Sequence, residues 1–401
     1  NRWSGRINVN QKISDNVDLI SNISFSSVTK KGFNDSYSNG ANYFLMERNL
    51  LFNDWFPTAL DGSPVTTRYR SYGYNVLYFD QFREMISTIN KTSLNETLNI
   101  KFNDNLTGKA VFSYDETRVD DHDWRSAEHY EGSSKSGYVT EYRTKIKKII
   151  SSNTLNYNRT FSEKHNLGLL LGVEAEMNKT DNAWIQGSNL PSGMKTVGSA
   201  GKKDGSASFY ESRVLSFISR AEYNYDNKYY LSGSYRKDGS SRFAPDTRWG
   251  DFWSVSGSWR IKGEKFMSDI NWLSNLRLKA SYGVNGTWPD DPYGYMSLFA
   301  YGQNYNTKPG GVVSTVADAE LKWETNYTAN FGIESSFLDN RLTFNVDYFN
   351  RKSTNLLQNV PISSVTGFTS IKTNVGEISN KGFEFEVRGD VIRDKEVRWT
   401  L

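Results

Sequence analysis

The chain of 401 residues sets 48 Lys and Arg against 45 Asp and Glu, a formal net charge of +3, which gives no basic stripe for a nucleic-acid partner. It has no cysteine, so disulfides and thiol chemistry are excluded. No apolar run reaches the ~20 residues of a membrane helix, yet 14% of the residues are aromatic and need a surface to occupy.

Along the chain the dominant pattern is alternation of apolar and polar residues, which places them on opposite faces of strands. The reading predicts about fourteen strands. The first two, 2–12 and 15–27, meet at the short turn Ser14-Asp15-Asn16. A long insert, 28–91, follows. Within it, residues 40–57 have helix-like spacing that puts Phe44, Leu51 and Trp55 on one face of a short helix packed in the loop. Strands 92–104 and 106–118 meet near Asn105. The next connection, 119–143, is long and contains DDHDWRSAEH. There Asp120, Asp121 and Asp123 are weak candidates for holding Ca²⁺. The spacing matches neither an EF-hand nor a zinc signature, and a solvated acidic loop is the plainer reading.

Strands 144–158 and 165–178 meet across 159–164. In the second, Leu167, Leu169, Leu171, Val173, Ala175 and Met177 share one face. After a long connection, 179–208, strands 209–225 and 228–240 meet at Asp226-Asn227. The charged run YRKDGSSRFAPDTRWGDFW, 235–253, leads into strand 248–262. An intermediate segment, 263–274, precedes strand 275–286, and a long one, 287–320, precedes strand 321–337. Asp339-Asn340 turns the chain into strand 340–353. A long connection, 354–373, leads to strand 374–389, and 390–395 leads to strand 396–401.

Short and long connections thus alternate. In an up-and-down meander, alternate connections lie at one end, so one end is trimmed and the other elaborated. That asymmetry predicts an all-β, transmembrane antiparallel barrel with short periplasmic turns, long extracellular loops, an apolar outside and a polar inside. A soluble sandwich predicts shorter strands and no link between loop length and strand parity. A propeller predicts a repeat that is absent. Tyr and Trp near strand ends suit the interfacial girdles of a barrel. Parity turns Tyr229, Leu231, Tyr235, Trp249, Trp253 and Trp259 to lipid. It turns Arg236, Asp238, Arg248 and Arg260 to the lumen, where a barrel-wall salt-bridge network is expected.

Several stretches resemble the SusC/RagA family of TonB-dependent outer-membrane transporters. YYLSGSYRKDGSSRFAPDTRWGDFWSVSGSWRI (229–261) resembles its R-x-D-G-S-S-R-F strand end and R-[YW]-G turn. LRLKASYGVNG (276–286), LKWETNYTANFGIESSFLDNRLTFNVDYFNRKSTNLL (321–357) and TGFTSIKTNVGEISNKGFEFEV (366–387) are similar to further motifs in the same order. The resemblance implies an interior slice, residues 1–401, of a ~22-stranded barrel, with the plug domain and terminal strands outside this chain. The start at Asn1 and the end within a strand pattern fit that expectation. It further implies import of oligosaccharides or oligopeptides under a SusD-like lipoprotein, driven by TonB through the absent plug, with outer-membrane lipid around the wall and no cofactor. A scaffold or passive pore is the alternative, and a soluble β-rich enzyme or glycan-binding module a third reading.

Substrate-contact candidates are the loop aromatics Trp55, Trp124, Trp184, Trp288, Tyr293, Tyr295, Tyr301 and Tyr305; packing of loops on each other is the competing role. Lumen or plug-facing candidates are Arg236, Asp238, Arg248, Arg260, Arg277, Lys279, Glu324 and Glu334. Carboxylates two apart on a strand, such as Glu174 and Glu176 or Glu384 and Glu386, approach glycosidase spacing. Lumen strands carry such charges routinely, and no nucleophile elbow or phosphate-binding loop appears. No enzyme activity is expected.

Overall fold

The computed structural model describes residues 1–31, 59, 61–64, 78, 80–393 and 398–400. In chain order, the wall begins with β1 (Arg2–Ser14), β2 (Val17–Lys31), β3 (Arg83–Lys101), β4 (Leu106–Arg125), β5 (Tyr138–Phe161) and β6 (His165–Ser188). It continues with β7 (Lys202–Tyr225), β8 (Tyr229–Ser240), β9 (Trp249–Arg260) and β10 (Leu273–Thr287). A small hairpin, β11 (Phe299–Tyr301) and β12 (Gly311–Val313), stands in the next connection. Then come β13 (Glu324–Phe337) and β14 (Leu342–Thr354), a second hairpin of β15 (Leu357–Pro361) and β16 (Ser370–Asn374), and finally β17 (Glu377–Arg393) and β18 (Arg398–Thr400). Apart from the two hairpins, the strands form one 14-stranded antiparallel sheet whose spatial order is its chain order. The expected meander is present.

The sheet curls. A concavity of about 1130 Å³ is lined by side chains from β5 to β14, among them Asn158, Asn166, Ser232, Ser258, Lys279 and Asp347. Residues seven strands apart in the sheet order meet around one hollow, so this is the inner face. The short connections gather at one end, and three of them turn on left-handed residues. Asp226 and Asn227 have φ of 51° and 53°, and Leu338, Asp339 and Asn340 have φ of 53°, 55° and 62°. Asn and Asp tolerate this region better than other non-glycine residues.

The strands overrun their predicted limits, furthest on the elaborated side. β3 begins at Arg83 instead of 92, β4 runs to Arg125, β5 starts at Tyr138, β6 reaches Ser188 and β7 starts at Lys202. Conversely, β13 starts at Glu324, leaving Leu321 and Trp323 in the preceding connection. The outward face explains the overrun. On β5 that face is carried by Ile149 to Tyr157 at odd positions, on β6 by Leu167 to Met177 and on β7 by Leu215 to Tyr225. Each stretch approaches the ~9–11 residues that cross a bilayer as a tilted strand. Beyond them the same face turns charged, at Lys147, Lys179 and Arg213. A 24-residue strand such as β5 or β6 extends ~80 Å, against an apolar band of ~25 Å. More than half of it therefore stands beyond the bilayer, where both faces meet water and the regular alternation of hydrophobicity stops.

Aromatic rings mark the trimmed edge of the band. Tyr229 lies 6.2 Å from both Tyr225 and Trp259, and Trp272 stacks on Phe337 at 5.8 Å. A charged residue also faces outward within the band. Glu96, between Leu94 and Leu98 on β3, accepts a hydrogen bond from Ser21 on β2.

Candidate functional site

Two inward clusters of charge brace the wall. In the first, Arg236 of β8 reaches across β7 to β6. Its Nε donates to Asp238 Oδ1 at 2.6 Å, and its Nη2 donates to Ser216 Oγ at 2.9 Å and Glu174 Oε1 at 3.3 Å. Asp238 and Ser216 are buried. In the second, Lys279 of β10 sits between Glu334 of β13 at 3.1 Å and Asp347 of β14 at 3.0 Å. Arg277 adds a 3.7 Å contact to Glu334 and lies over the Tyr230 ring. The first cluster, one cation with two acids, carries a net negative charge, whereas Lys279 and Arg277 together balance the two acids of the second. Such clusters fix strand-to-strand register on the polar side and stay wet enough that each pair contributes modestly to stability.

The predicted lumen residues divide accordingly. Arg236, Asp238, Arg277, Lys279 and Glu334 enter these clusters. Glu324 is at the outer end of β13 and accepts the Leu357 N–H at 3.4 Å, anchoring the β15–β16 hairpin. Arg248 contributes its carbonyl, which accepts from Trp323 Nε1 and Ser240 N. Arg260 is exposed at the opposite, trimmed end of β9 and does not join Arg236. Glu174, Ser216 and Asp347 were missed as partners, although parity alone places all three inward.

The charged run 235–253 closes over an aromatic core at the outer mouth. Phe243, fully buried, packs on Trp323 with ring centroids 5.0 Å apart; Phe252 meets Trp323 at 5.2 Å and Trp288 meets it at 5.6 Å. Thr247 Oγ1 donates to Leu321 O at 2.8 Å, and Arg242 donates to the carbonyls of Pro289, at 2.7 Å, and Asp290. Gly250 and Gly286 make the room. A Cβ on Gly250 would stand 2.5 Å from the Phe252 ring, and one on Gly286 would strike the same ring. The run is neither a phosphate loop nor a cation site; its cations and carbonyls tie the connections 241–248 and 288–323 together. Outward, Asp251 accepts from the Tyr235 hydroxyl and pairs with Lys237 at 3.3 Å, where the strand pair leaves the apolar band.

The aromatic candidates also separate. Trp124 is not in a loop but near the end of β4. It is 7% exposed, its indole N–H donates to Met194 O at 2.9 Å, and the Lys195 ammonium lies 4.5 Å from its ring. It packs connection 189–201 onto the wall. Trp184 is likewise in β6, opposite Tyr142, on the inner face above the bilayer. Tyr293 has its hydroxyl occupied by the Glu211 N–H at 3.1 Å, and Tyr295 is half-buried. Trp288 is partly exposed, and Tyr301 on β11 and Tyr305 beyond it are the most open of the set. Trp55 and the helix-like spacing of 40–57 lie outside the described residues.

The acidic candidates are corrected by the same strand extension. Residues 120–123 belong to β4, so Asp120 points outward, where it pairs with Arg143 at 3.7 Å, while Asp121 and Asp123 point inward. Carboxylates on opposite faces of a sheet cannot share an ion. Among the described residues no three metal-ligating side chains come together.

Beside this cluster, His129 in connection 126–137 is 3% exposed, stacked on Tyr130 at 4.4 Å. Its Nδ1 accepts the Glu131 N–H at 3.1 Å. Burial, reinforced by Arg125 and Arg83, pulls its pKa from 6.5 down to about 4. A depressed basic pKa favours the neutral form in the fold. The stabilisation is complete above pH 6.5 and is lost as pH falls towards 4, by roughly 3 kcal/mol at ~1.4 kcal/mol per unit. The protection factors of amides in 126–137, each rate referred to the intrinsic rate at its pH, are expected to fall between pH 7 and pH 5, and His129→Gln is expected to remove that fall.

Comparison with known proteins bears on the whole wall. A family model described as TonB dependent receptor-like, beta-barrel, matches residues 14–401. TonB-dependent receptor SusC of Bacteroides thetaiotaomicron is 36% identical over 196 residues, covering 47% of this chain and 20% of SusC. TonB-dependent receptor P3 of Formosa agariphila is 30% identical over 308 residues, 75% of this chain and 31% of that protein. Among solved structures, the RagAB peptide transporter superposes with a TM-score of 0.85 at 26% identity, covering 98% of this chain and 45% of the other. The siderophore receptor PiuA of Acinetobacter baumannii shares the fold at 13% identity and a TM-score of 0.52. The chain thus spans a fifth to a third of these curated relatives' length.

Proposed function

The chain belongs to the TonB-dependent receptor-like β-barrel family, and from that premise we propose that it supplies the wall, lumen lining and outer mouth of a SusC/RagA-type active importer. Barrels of this kind lie in the outer membrane as multi-pass structures. In the proposed whole protein, further strands complete a ~22-stranded barrel and a plug domain fills the concavity. A SusD-like surface lipoprotein delivers an oligosaccharide or oligopeptide to the mouth. TonB, pulling on the plug, opens the path at the expense of the inner-membrane proton gradient. The chain performs no bond chemistry; its inward acids neutralise Arg236 and Lys279 rather than approach a substrate bond.

The observation that carries this reading is the one-sided construction. Strands stand far above the bilayer, cross-braced connections crown them, and the trimmed end bears tight turns. A passive scaffold has no use for a raised funnel leading to a 1130 Å³ hollow. The importer reading predicts cargo uptake by intact cells that stops when TonB is deleted or the proton gradient is collapsed. Steady ion conductance through the purified full-length protein without TonB would instead assign it to the passive pores.

A further inference from the structure

Strand β7 outlasts its neighbour. It pairs with β6 along its whole length, from Tyr225 opposite His165 to Lys202 opposite Ser188. With β8 it pairs only from Val214 to Tyr225. Residues 202–213 therefore present a sheet edge at the outer rim. Arg213 fixes its phase: its N–H donates to Ser241 Oγ and its C=O accepts from Ser241 N, both on the β8 side. Backbone polar groups alternate sides along a strand, so Phe209, Ala207, Gly205 and Lys203 turn theirs the same way. The Tyr293 hydroxyl takes the Glu211 N–H, and the Asp204 carboxylate takes the Gly205 N–H. From Lys203 to Phe209, no backbone partner covers the edge among the described residues, and 202–210 are exposed throughout.

Edges left open to water are normally short, bulged or interrupted by proline or charge. This one is straight, with no shift of register against β6. Its centre is Gly-Ser-Ala-Ser, and its charges are confined to the tip at Lys202, Lys203 and Asp204. We propose that this edge is a strand-addition site for an extended segment of the surface lipoprotein, an inference that rests on the importer reading above. Paired amides at strand spacing select a polypeptide, since a sugar chain offers no matching repeat. The edge lies beyond Leu215, where the apolar band of β7 ends, so lipid does not reach it. A strand added here continues the wall above the shorter β8, in the plane of the sheet. It stays clear of the lumen, which favours a protein resident on the rim over a peptide in transit.

The test uses the full-length transporter with and without its lipoprotein. In the assembled complex, the Ala207 and Phe209 amides are expected to exchange at least about ten-fold more slowly than in the barrel alone. Ala207→Pro removes only the N–H aimed at the open side and leaves the β6 ladder intact. It is expected to fold, insert and bind the lipoprotein about ten-fold more weakly. A complex that forms without protection at Ala207 and Phe209, or binding unchanged by Ala207→Pro, overturns the inference and leaves the importer reading standing. Failure of any complex to form overturns both. Protection appearing when peptide cargo is added to the lipoprotein-free barrel would assign the edge to cargo and contradict the proposal.

Discussion

Replacing Trp323 with alanine is expected to cost roughly 3–5 kcal/mol and to release the outer connections from the wall. Trp323 is 5% exposed and is the common neighbour of Phe243, Phe252 and Trp288. Its Nε1 donates to the Arg248 carbonyl at 3.0 Å. Truncation removes the ring on which three others converge and leaves a void in a core of only a few side chains. The small size of that core prevents neighbouring layers from collapsing into the gap, so the larger end of the range applies. Trp323→Phe keeps an aromatic surface, loses the indole donor and is expected to cost about 1–2 kcal/mol. Limited proteolysis of the detergent-solubilised protein checks this. Cleavage within 241–248 and 288–323 should accelerate strongly for Trp323→Ala and slightly for Trp323→Phe. Wild-type resistance in Trp323→Ala would show that the aromatic core does not hold the mouth together.

Leu171→Arg is expected to destabilise the membrane-inserted barrel by about 2–4 kcal/mol. Leu171 is 61% exposed, which in water would make its replacement nearly neutral. It lies near the middle of the outward stripe Leu167 to Met177, where the guanidinium must be placed in hydrocarbon. Ile150→Arg provides the comparison. Ile150 is inward on β5, opposite Glu176 of β6, so its arginine gains an acidic neighbour in a wet lumen. It is expected to shift stability by less than about 1 kcal/mol. Denaturant titration of the full-length protein in lipid vesicles measures both. Equal effects would contradict the assignment of faces.

These contrasts also explain what the sequence made legible. The alternation of Leu167, Leu169, Leu171 and Val173 against Gly168, Gly172 and Glu174 exists because one face meets lipid and the other water. That physical difference stops at the bilayer surface. Above Lys147, Lys179 and Arg213 both faces are wet, the pattern fades, and only ladder hydrogen bonds carry the strands onward. Trp124, Trp184 and Asp120 were therefore read as loop residues although they stand on β4 and β6. Sheet parity, applied once the strand is known to continue, separates Asp120 from Asp121 and Asp123. Parity sufficed to place Arg236, Asp238, Lys279 and Glu334 inward. Pairing Arg236 with Glu174 needed the register of three strands, which local pattern does not supply. The Phe243–Phe252–Trp323 core was hidden for a related reason, because it joins two connections far apart in sequence to a ring at the outer end of β9. The glycines at 250 and 286, unexplained by turn geometry, were the available hint that a large ring approaches the backbone there.

The central claim is that β6 has one lipid-facing side below Lys179 and none above it. The absence of cysteine allows single cysteines to be placed at each position from 167 to 188 and spin-labelled in the vesicle-inserted full-length protein. Collision rates with oxygen and with a water-soluble nickel reagent then report each side's surroundings. Oxygen contact should peak at 167, 169, 171, 173, 175 and 177 with a period of two, and nickel contact should rise on the outward face from 179 onward. Nickel contact at both odd and even positions throughout 167–177 would contradict the account.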